Sequence, residues 1–238
     1  QAAHLPRHLV HQSMMTTIMK TMEYPLPVTC FTLKQCEELM KPILKAGLSG
    51  SGVINTIPRD LVHAPHSRQG LGYKHLHTEQ GIQHIAKLQR FTQDSEVITG
   101  ELLRANMQEM KVCIGLNGTV TSHSYKKLGH LVEKSYVRWT WEFMATYGMR
   151  LDDDLPDFDS FRSGDELLMQ CFLMAGYEGQ ELKRLNNCRL YLQVMHTSEV
   201  LTGCGQTLDV SAARGDRQPC RNKYYWPNQG RPIDAHAT

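Results

Sequence analysis

Apolar residues recur through this chain at the 3.6-residue period of an α-helix, in one segment after another, with Gly, Pro and Asp between the segments. In the segment from Leu33 to Leu44 the apolar residues share one helical face. Thr32 stands at its N-cap position and Gln35 follows three residues later, the spacing of a capping box. We therefore predict a mainly α-helical, two-lobed protein with a short irregular or β-containing segment near 53–77 and an irregular C-terminal tail.

The same period predicts particular helices in the second half of the chain. Residues 125–147 carry apolar side chains at helical spacing, among them Trp139 and Phe143, and this segment is the longest helix candidate. Farther along, Ser163 is expected to cap a helix that has Asp165 in its first turn, where an acidic side chain is favourable. Both predictions depend on local pattern alone.

Length and composition bound the class of protein. The 238 residues suffice for two small domains, and we divide them into helical regions 1–118 and 119–238, with the irregular tail from about 203. Lys and Arg total 26 against 24 Asp and Glu, so the net charge of +2 does not by itself indicate nucleic acid. Seven cysteines without CxxC spacing are typical of a reducing compartment, and no apolar run reaches the roughly 18 residues of a membrane helix. We expect a soluble, intracellular protein.

Two clusters have residue types that bind metals. His4, His8 and His11 would share one helical face, but Pro6 interrupts the run, so exposed histidines on a frayed helix are favoured. The second cluster is an acidic run, Asp152, Asp153, Asp154, Asp157 and Asp159. It lacks the register of a calcium loop and is interpreted as a solvated loop. We predict no metal site and no cofactor.

The chain contains no G-x-S-x-G, no phosphate-binding G-x-x-x-x-G-K-[ST] and no H-E-x-x-H motif, and we predict no catalytic residue. The tail segment 221–226, with sequence RNKYYW, interleaves basic and aromatic residues. This pattern suits stacking on single-stranded nucleic acid, and it equally suits a tail docked on its own domain. Docking is the interpretation that we favour.

Several segments, in order, resemble the region downstream of the polymerase core in non-LTR retroelement reverse transcriptases. They are Tyr24-Pro25-Leu26-Pro27, Phe31-Thr32-Leu33-x-Gln35-Cys36, Ile57-Pro58-Arg59, Ala64-Pro65-His66-Ser67-Arg68-Gln69-Gly70-Leu71-Gly72, Leu76-His77-Thr78-Glu79-Gln80-Gly81, Thr99-Gly100-Glu101-Leu102-Leu103, Leu185-Asn186-Asn187-Cys188-Arg189-Leu190-Tyr191-Leu192 and Tyr225-Trp226-Pro227-Asn228-Gln229-Gly230-Arg231-Pro232. The family commonly has Gly-Gly-Leu-Gly after a proline. Here Gln69 replaces the first of the paired glycines.

The resemblance implies that residues 1–118 are thumb-like and that the rest is a post-thumb C-terminal region. The catalytic aspartates of such an enzyme lie upstream, in a palm that this sequence does not contain. Because the chain begins at Gln1, with Met14 as its first methionine, a fragment is expected. The resemblance thus predicts a non-catalytic C-terminal fragment of a reverse transcriptase, able to contact template–primer nucleic acid, in nucleus or cytoplasm.

Five basic residues are candidates for contact with the phosphates of an RNA–DNA or DNA duplex. Arg59, Arg68 and Lys74 flank the Gly-Leu-Gly segment, and Arg221 and Lys223 lie in the tail. Phosphate contacts of this kind position a duplex without reading its sequence. Two alternatives remain: a helical protein–protein interaction module without a nucleic-acid role, and a metal-dependent enzyme. Steep salt dependence of binding would separate nucleic-acid contact from protein docking.

Overall fold

The structure is a computed structural model that describes residues 6–93, 97–160, 162–215, 224 and 226–227. It confirms the mainly α-helical prediction: 63% of the chain is helical. The described residues form no β-strand and only two isolated β-bridges, Leu167 with His196 and Leu201 with Leu208. Within the described ranges, no helix is both long and apolar enough to span a membrane.

The chain divides into two compact units, Gln1–Leu88 and Gln89–Thr238. The predicted domain boundary near residue 118 remains a prediction, and Gly118 belongs to the second of these compact units. The predicted irregular segment 53–77 falls in the first unit, where one short helix and a 3₁₀ turn interrupt it.

The first unit is built from helices that surround one apolar core. Its elements are α1 (Arg7–Ser13), a single π-helical turn (Met14–Ile18), α2 (Met19–Glu23), α3 (Leu33–Gly50), α4 (Arg59–His63) and the start of α5 (Leu76–Gln93). The buried core consists of Met19, Leu26, Cys36, Met40, Leu44, Leu48, Val62, Tyr73 and Leu76. The predicted capping box is confirmed, because the Thr32 hydroxyl accepts from the Gln35 amide while the Gln35 side chain accepts from the Thr32 amide.

The second unit contains six helices among its described residues. They are α6 (Ile98–Ile114), α7 (Tyr125–Leu128), α8 (Tyr136–Thr146), α9 (Leu168–Met174), α10 (Gly179–Leu192) and α11 (Val210–Arg214). α6 ends at Gly115, which adopts the left-handed conformation (φ +67°) that favours glycine after a helix.

Two helix predictions in the second unit are wrong. Residues 125–147 do not form one helix, because Val132 is extended (ψ 139°) and Ser135 caps a new helix, α8. Ser163 does not cap a helix, and α9 begins only at Leu168. Asp165 was expected in the first turn of a helix, but its side chain instead accepts hydrogen bonds from residues 197 and 198, which lie more than 30 positions downstream.

Candidate functional site

The Gly-Leu-Gly segment packs against α4 and the residue that follows it. The backbone amides of residues 71, 72 and 73 donate to the carbonyls of residues 61, 64 and 62, at 2.9, 2.9 and 3.0 Å. A Cβ atom on Gly70 would lie 2.0 Å from the Ala64 carbonyl oxygen, so no side chain fits there. Gly72 has a positive φ of 69° and packs against the His66 ring. The glycines therefore allow close approach of two backbone segments.

Gln69 occupies the position where the resembled family has the first glycine. Its φ of 59° and ψ of 20° place it in the left-handed region. That conformation is unfavourable for a residue with a Cβ atom and is relaxed by glycine. The departure from the family pattern therefore leaves the backbone turn in place and adds local strain.

The segments that carry the resemblance are also joined by buried side chains of α5. The Gln80 amide, fully buried, accepts from the Thr29 hydroxyl (3.2 Å) and the Phe31 amide (3.1 Å) and donates to the Phe31 carbonyl (3.0 Å). One turn later, His84 Nε2 donates to the Leu26 carbonyl at 2.9 Å. These bonds satisfy backbone groups that would otherwise be unpaired in the segment between α2 and α3.

Lys74, one of the predicted phosphate contacts, lies in an ion-pair network. Its Nζ is 3.0 Å from Glu23 Oε1 and 3.4 Å from Glu79 Oε2, and Lys20 reaches the other Glu23 oxygen at 3.0 Å. The hydrogen bond to Glu23 raises the pKa of Lys74. Burial alone would raise the pKa of Glu23, but the bonds from Lys20 and Lys74 outweigh it and lower that pKa. The Lys74 ammonium is therefore engaged by carboxylates of its own unit.

Arg59 and Arg68 are placed differently from Lys74. Arg59 is the first residue of α4, Arg68 lies in the 3₁₀ turn that follows α4, and both side chains are exposed. No described carboxylate lies within 4.0 Å of either guanidinium. The other two candidates, Arg221 and Lys223, lie outside the described residues.

Histidines cluster between α4 and α5. The His63 and His75 rings meet edge to face with centroids 5.1 Å apart, and His77 is 6.4 Å from His75. Burial lowers the pKa of His75, and the neighbouring His63 and His77 lower it further. Over the ranges that the structure covers, no group of three or more His, Cys, Asp and Glu side chains is arranged to hold a metal ion. Of the predicted N-terminal histidines, His4 lies outside those ranges.

In the second unit, the acidic run is anchored to the segment that follows α6. Asp157 Oδ1 accepts from Lys111 Nζ (3.0 Å) and from the Gly118 amide (2.7 Å), and Asp153 accepts from the Val120 amide (2.9 Å). The Gly118 and Lys111 bonds lower the pKa of Asp157. This part of the run therefore has a structural role.

The rest of the acidic run is more open. Asp152 and Asp154 are exposed and line a cleft of about 710 Å³ together with Arg104 and Arg150. The lining includes three carboxylates, counting Asp153, and two guanidinium groups, so charges of both signs line the cleft and it selects neither an anion nor a cation.

Arg189 is the most deeply buried cation of the described chain. Its guanidinium donates to the carbonyls of Val112 and Cys113 at the end of α6, to the Asn186 side chain and to the Met195 sulfur. Burial lowers its pKa to about 10, which leaves it charged at neutral pH. Cations near a helix C-terminus interact favourably with the helix dipole. Arg189 therefore holds α10 against the end of α6.

The tail contributes two described aromatic residues to the second unit. Tyr224 and Trp226 are half-buried and pack against a small apolar cluster. The Tyr224 ring meets Phe158 edge to face at 5.1 Å, and the Trp226 ring lies 6.0 Å from the Arg189 guanidinium carbon. These contacts agree with the docked interpretation of the tail.

Sequence reasoning did not identify Gln80, His84, Lys111 or Arg189 as important. The partners of Gln80 and His84 are 49 to 58 residues upstream, and those of Arg189 are up to 77 residues away. The only signal in the sequence is that each of these residues stands on the apolar face of its helix. A polar residue at such a position is usually buried with a hydrogen-bond partner.

No protein-family profile, no curated protein and no solved structure matches this chain. The resemblance to reverse transcriptases therefore depends on the ordered motifs in the sequence.

Proposed function

We propose that this chain is a non-catalytic, thumb-like and post-thumb portion of a retroelement reverse transcriptase, and that its first unit contacts the backbone of template–primer nucleic acid. The observation that carries the proposal is that the segments resembling the family contact one another in the first unit. Gly70 packs on α4, and Gln80 and His84 hold the segment Leu26–Phe31. Motifs that support one another in a packed unit are expected of a structural module beside an active site.

Charge distribution supports the same proposal. Residues 1–88 contain nine Lys and Arg and five Asp and Glu, a net charge of +4, whereas residues 89–238 contain 17 and 19, a net charge of −2. The small overall charge therefore conceals a basic first unit. Arg59 and Arg68 are exposed there, and no described carboxylate neutralises them. Exposed, uncompensated guanidinium groups are suited to phosphate contact.

A binding titration with a labelled RNA–DNA hybrid tests the proposal. The variant Arg59→Gln/Arg68→Gln in the full chain is expected to bind the hybrid more weakly than the wild type between about 50 and about 200 mM salt. Removing one phosphate-binding cation reduces the slope of log affinity against log salt by about 1, so the double variant should flatten it by about 2. Lys74 is retained, because its removal would leave the buried Glu23 carboxylate with fewer partners.

The matched control is Arg150→Gln/Arg214→Gln, which removes two exposed arginines from the second unit. It changes the net charge equally and is expected to leave the salt slope near that of the wild type. Equal loss of affinity in both double variants would indicate only a nonspecific charge effect. Wild-type binding by Arg59→Gln/Arg68→Gln would contradict the proposal.

A protein–protein interaction module is the second candidate, and one observation favours it. On α6, Ile98 and Leu102 stand one turn apart with 75% and 65% of their surfaces exposed. Adjacent exposed apolar side chains are typical of helical docking surfaces. In the same titration this candidate predicts weak binding of the hybrid, with no difference between the two double variants.

A further inference from the structure

The described tail residues cover an apolar patch that belongs to α6, α10 and the loops beside them. We name this patch the tail-docking surface. It consists of Val112, Phe158, Leu167, Leu190 and Met195, each at most 6% exposed. Tyr224 packs at the Phe158 side, and Trp226 packs near Arg189. Two aromatic side chains spaced two residues apart thus reach two separate places on one surface.

Each end of this surface also offers a cation to an aromatic ring. Arg189 lies 6.0 Å from the Trp226 centroid, and Lys111 lies 5.8 Å from the Phe158 centroid, with the Tyr224 ring against the same Phe158. Arg189 binds only neutral acceptors among the described residues, so the π-face of Trp226 is well suited to cover its charge. The Arg189 end of the surface therefore favours an aromatic ring over an aliphatic side chain.

The fit of the tail is incomplete, in contrast to a permanent core. A cavity of about 190 Å³ remains beside Tyr224, lined by Lys111, Val112 and Phe158. The Trp226 Nε1 is removed from solvent without a hydrogen-bond partner in the described chain. Both ring systems are only half-buried. Unfilled volume and an unsatisfied indole N–H weaken the docked state relative to a fully packed core.

We propose that the tail-docking surface is a recognition site for a peptide segment of the form aromatic–x–aromatic, and that Tyr224 and Trp226 occupy it as a tethered, exchangeable ligand. The complementary chemistry is that of the tail itself: a first ring against Phe158 and a second over Arg189. Because a tethered ligand acts at an effective concentration in the millimolar range, it excludes weak competitors and yields to a better one. This proposal does not depend on the proposed nucleic-acid role.

The test uses a fluorescein-labelled peptide with the sequence of residues 221–230. The full-length variant Tyr224→Ala/Trp226→Ala is expected to bind this peptide saturably, with a dissociation constant at least tenfold lower than that of the wild type, whose site is occupied. A peptide with alanine in place of Tyr224 and Trp226, and with Tyr225 retained, should not bind. The protein control is Tyr177→Ala, which removes an exposed tyrosine of the same unit and should behave as the wild type.

A second measurement uses the wild-type chain and does not require the double variant to fold. An unlabelled 221–230 peptide with phenylalanine in place of Trp226, added above the millimolar effective concentration of the tethered tail, should displace the tail and shift tryptophan emission to longer wavelength. The protein Trp226→Phe should show no such shift. If the folded double variant does not bind the peptide, or if excess peptide leaves wild-type emission unchanged, the proposal is overturned. A shift caused by single-stranded oligothymidylate instead of the peptide would also overturn it and assign the tail to base stacking.

Discussion

The two units use charged side chains in opposite ways. The first unit has a net charge of +4 and carries Arg59 and Arg68 exposed on its surface, while neutral groups, above all Gln80, satisfy its buried backbone. The second unit has a net charge of −2, yet it buries Lys111 and Arg189 at 3% and 2% exposure. Its cations bind carbonyl oxygens of the fold.

The difference indicates where each unit has charge available for a partner. A cation that binds backbone carbonyls in the interior stabilises the fold, and its N–H donors are unavailable to a phosphate or another anionic ligand, because they are used and its desolvation has already occurred. An exposed arginine without a carboxylate partner contributes little to stability. We therefore expect substitutions of the buried cations Lys111 and Arg189 to lower the stability of the second unit, and substitutions of the exposed Arg59 and Arg68 to alter binding by the first.

The largest expected effect is that of Arg189→Met. Removing the guanidinium leaves the Val112 carbonyl and the Asn186 side-chain oxygen without this donor, and it leaves the Cys113 carbonyl with the Asn186 amide as its remaining side-chain donor. We expect the free energy of unfolding of the second unit to fall by about 4 kcal/mol, as for other broken buried networks. Urea titration followed by tryptophan fluorescence measures this, since Trp139, Trp141 and Trp226 are all in the second unit.

Lys183→Met is the matched control for Arg189→Met. It removes an exposed cation from the same helix, α10, and should change the free energy of unfolding by less than about 0.5 kcal/mol. If both substitutions lowered the free energy of unfolding equally, buried and exposed cations would not differ in their contribution to stability, and the prediction would be wrong.

The features that the sequence predicted correctly are local ones. The capping box of Thr32 and Gln35, for example, involves groups three residues apart, and the structure confirms it. Periodicity failed at 125–147 because apolar spacing continues through Gly129 to Ser135, where the backbone leaves the helix. Spacing identifies a buried face but does not identify a break in the hydrogen-bond ladder.

The candidate site was only partly accessible from the sequence. Lys74 was grouped with Arg59 and Arg68 because all three flank the Gly-Leu-Gly segment, but Glu23, its partner, is 51 positions upstream. A long-range ion pair of this kind leaves no local signature. Similarly, the burial of Arg189 depends on α6 and α10 meeting in space, which no local pattern specifies.

Acidification should lower the free energy of unfolding of the first unit more than that of the second. Burial lowers the pKa values of two histidines of the first unit, His75 and His84, below the ordinary value of about 6.5. In the second unit, burial lowers the pKa of His123. The unfolded chain therefore binds protons more readily than the folded chain. The contribution of these histidines to the free energy of unfolding should be constant above about pH 7.5, fall as the pH drops through 6.5 and level off below their folded-state pKa values. At lower pH the lowered pKa values of Glu23 and Asp157 predict a further loss of stability.

We expect this loss to be smaller than that of Arg189→Met and larger in the first unit. Circular dichroism reports helix loss in both units and tryptophan fluorescence reports the second, so the two probes should diverge between about pH 7 and about pH 5. The variant His75→Gln/His84→Gln is expected to flatten the circular dichroism profile. Coincident profiles for both probes, unaffected by these substitutions, would show that the units do not differ in this respect.

The smallest expected effects come from the two non-glycine residues with positive φ in the described chain, one in each unit. They are Gln69 at φ 59° and Gln193, at the end of α10, at φ 53°. Replacing either by glycine relieves left-handed strain and adds chain entropy to the unfolded state, so the net gain in stability should be at most about 1 kcal/mol.

Gln69→Gly restores the glycine of the resembled family pattern. In urea unfolding, it should raise the midpoint followed by circular dichroism and leave the midpoint followed by tryptophan fluorescence unchanged. Gln193→Gly should raise the midpoint seen by tryptophan fluorescence. Gln12→Gly, at an exposed position of the regular helix α1, is the control and should lower stability by about 1 kcal/mol, because there glycine costs entropy without relieving strain. A loss of stability in Gln69→Gly would mean that the Gln69 side chain contributes a favourable contact that outweighs its backbone strain. The departure from the family pattern would then be a stabilising adaptation of this chain.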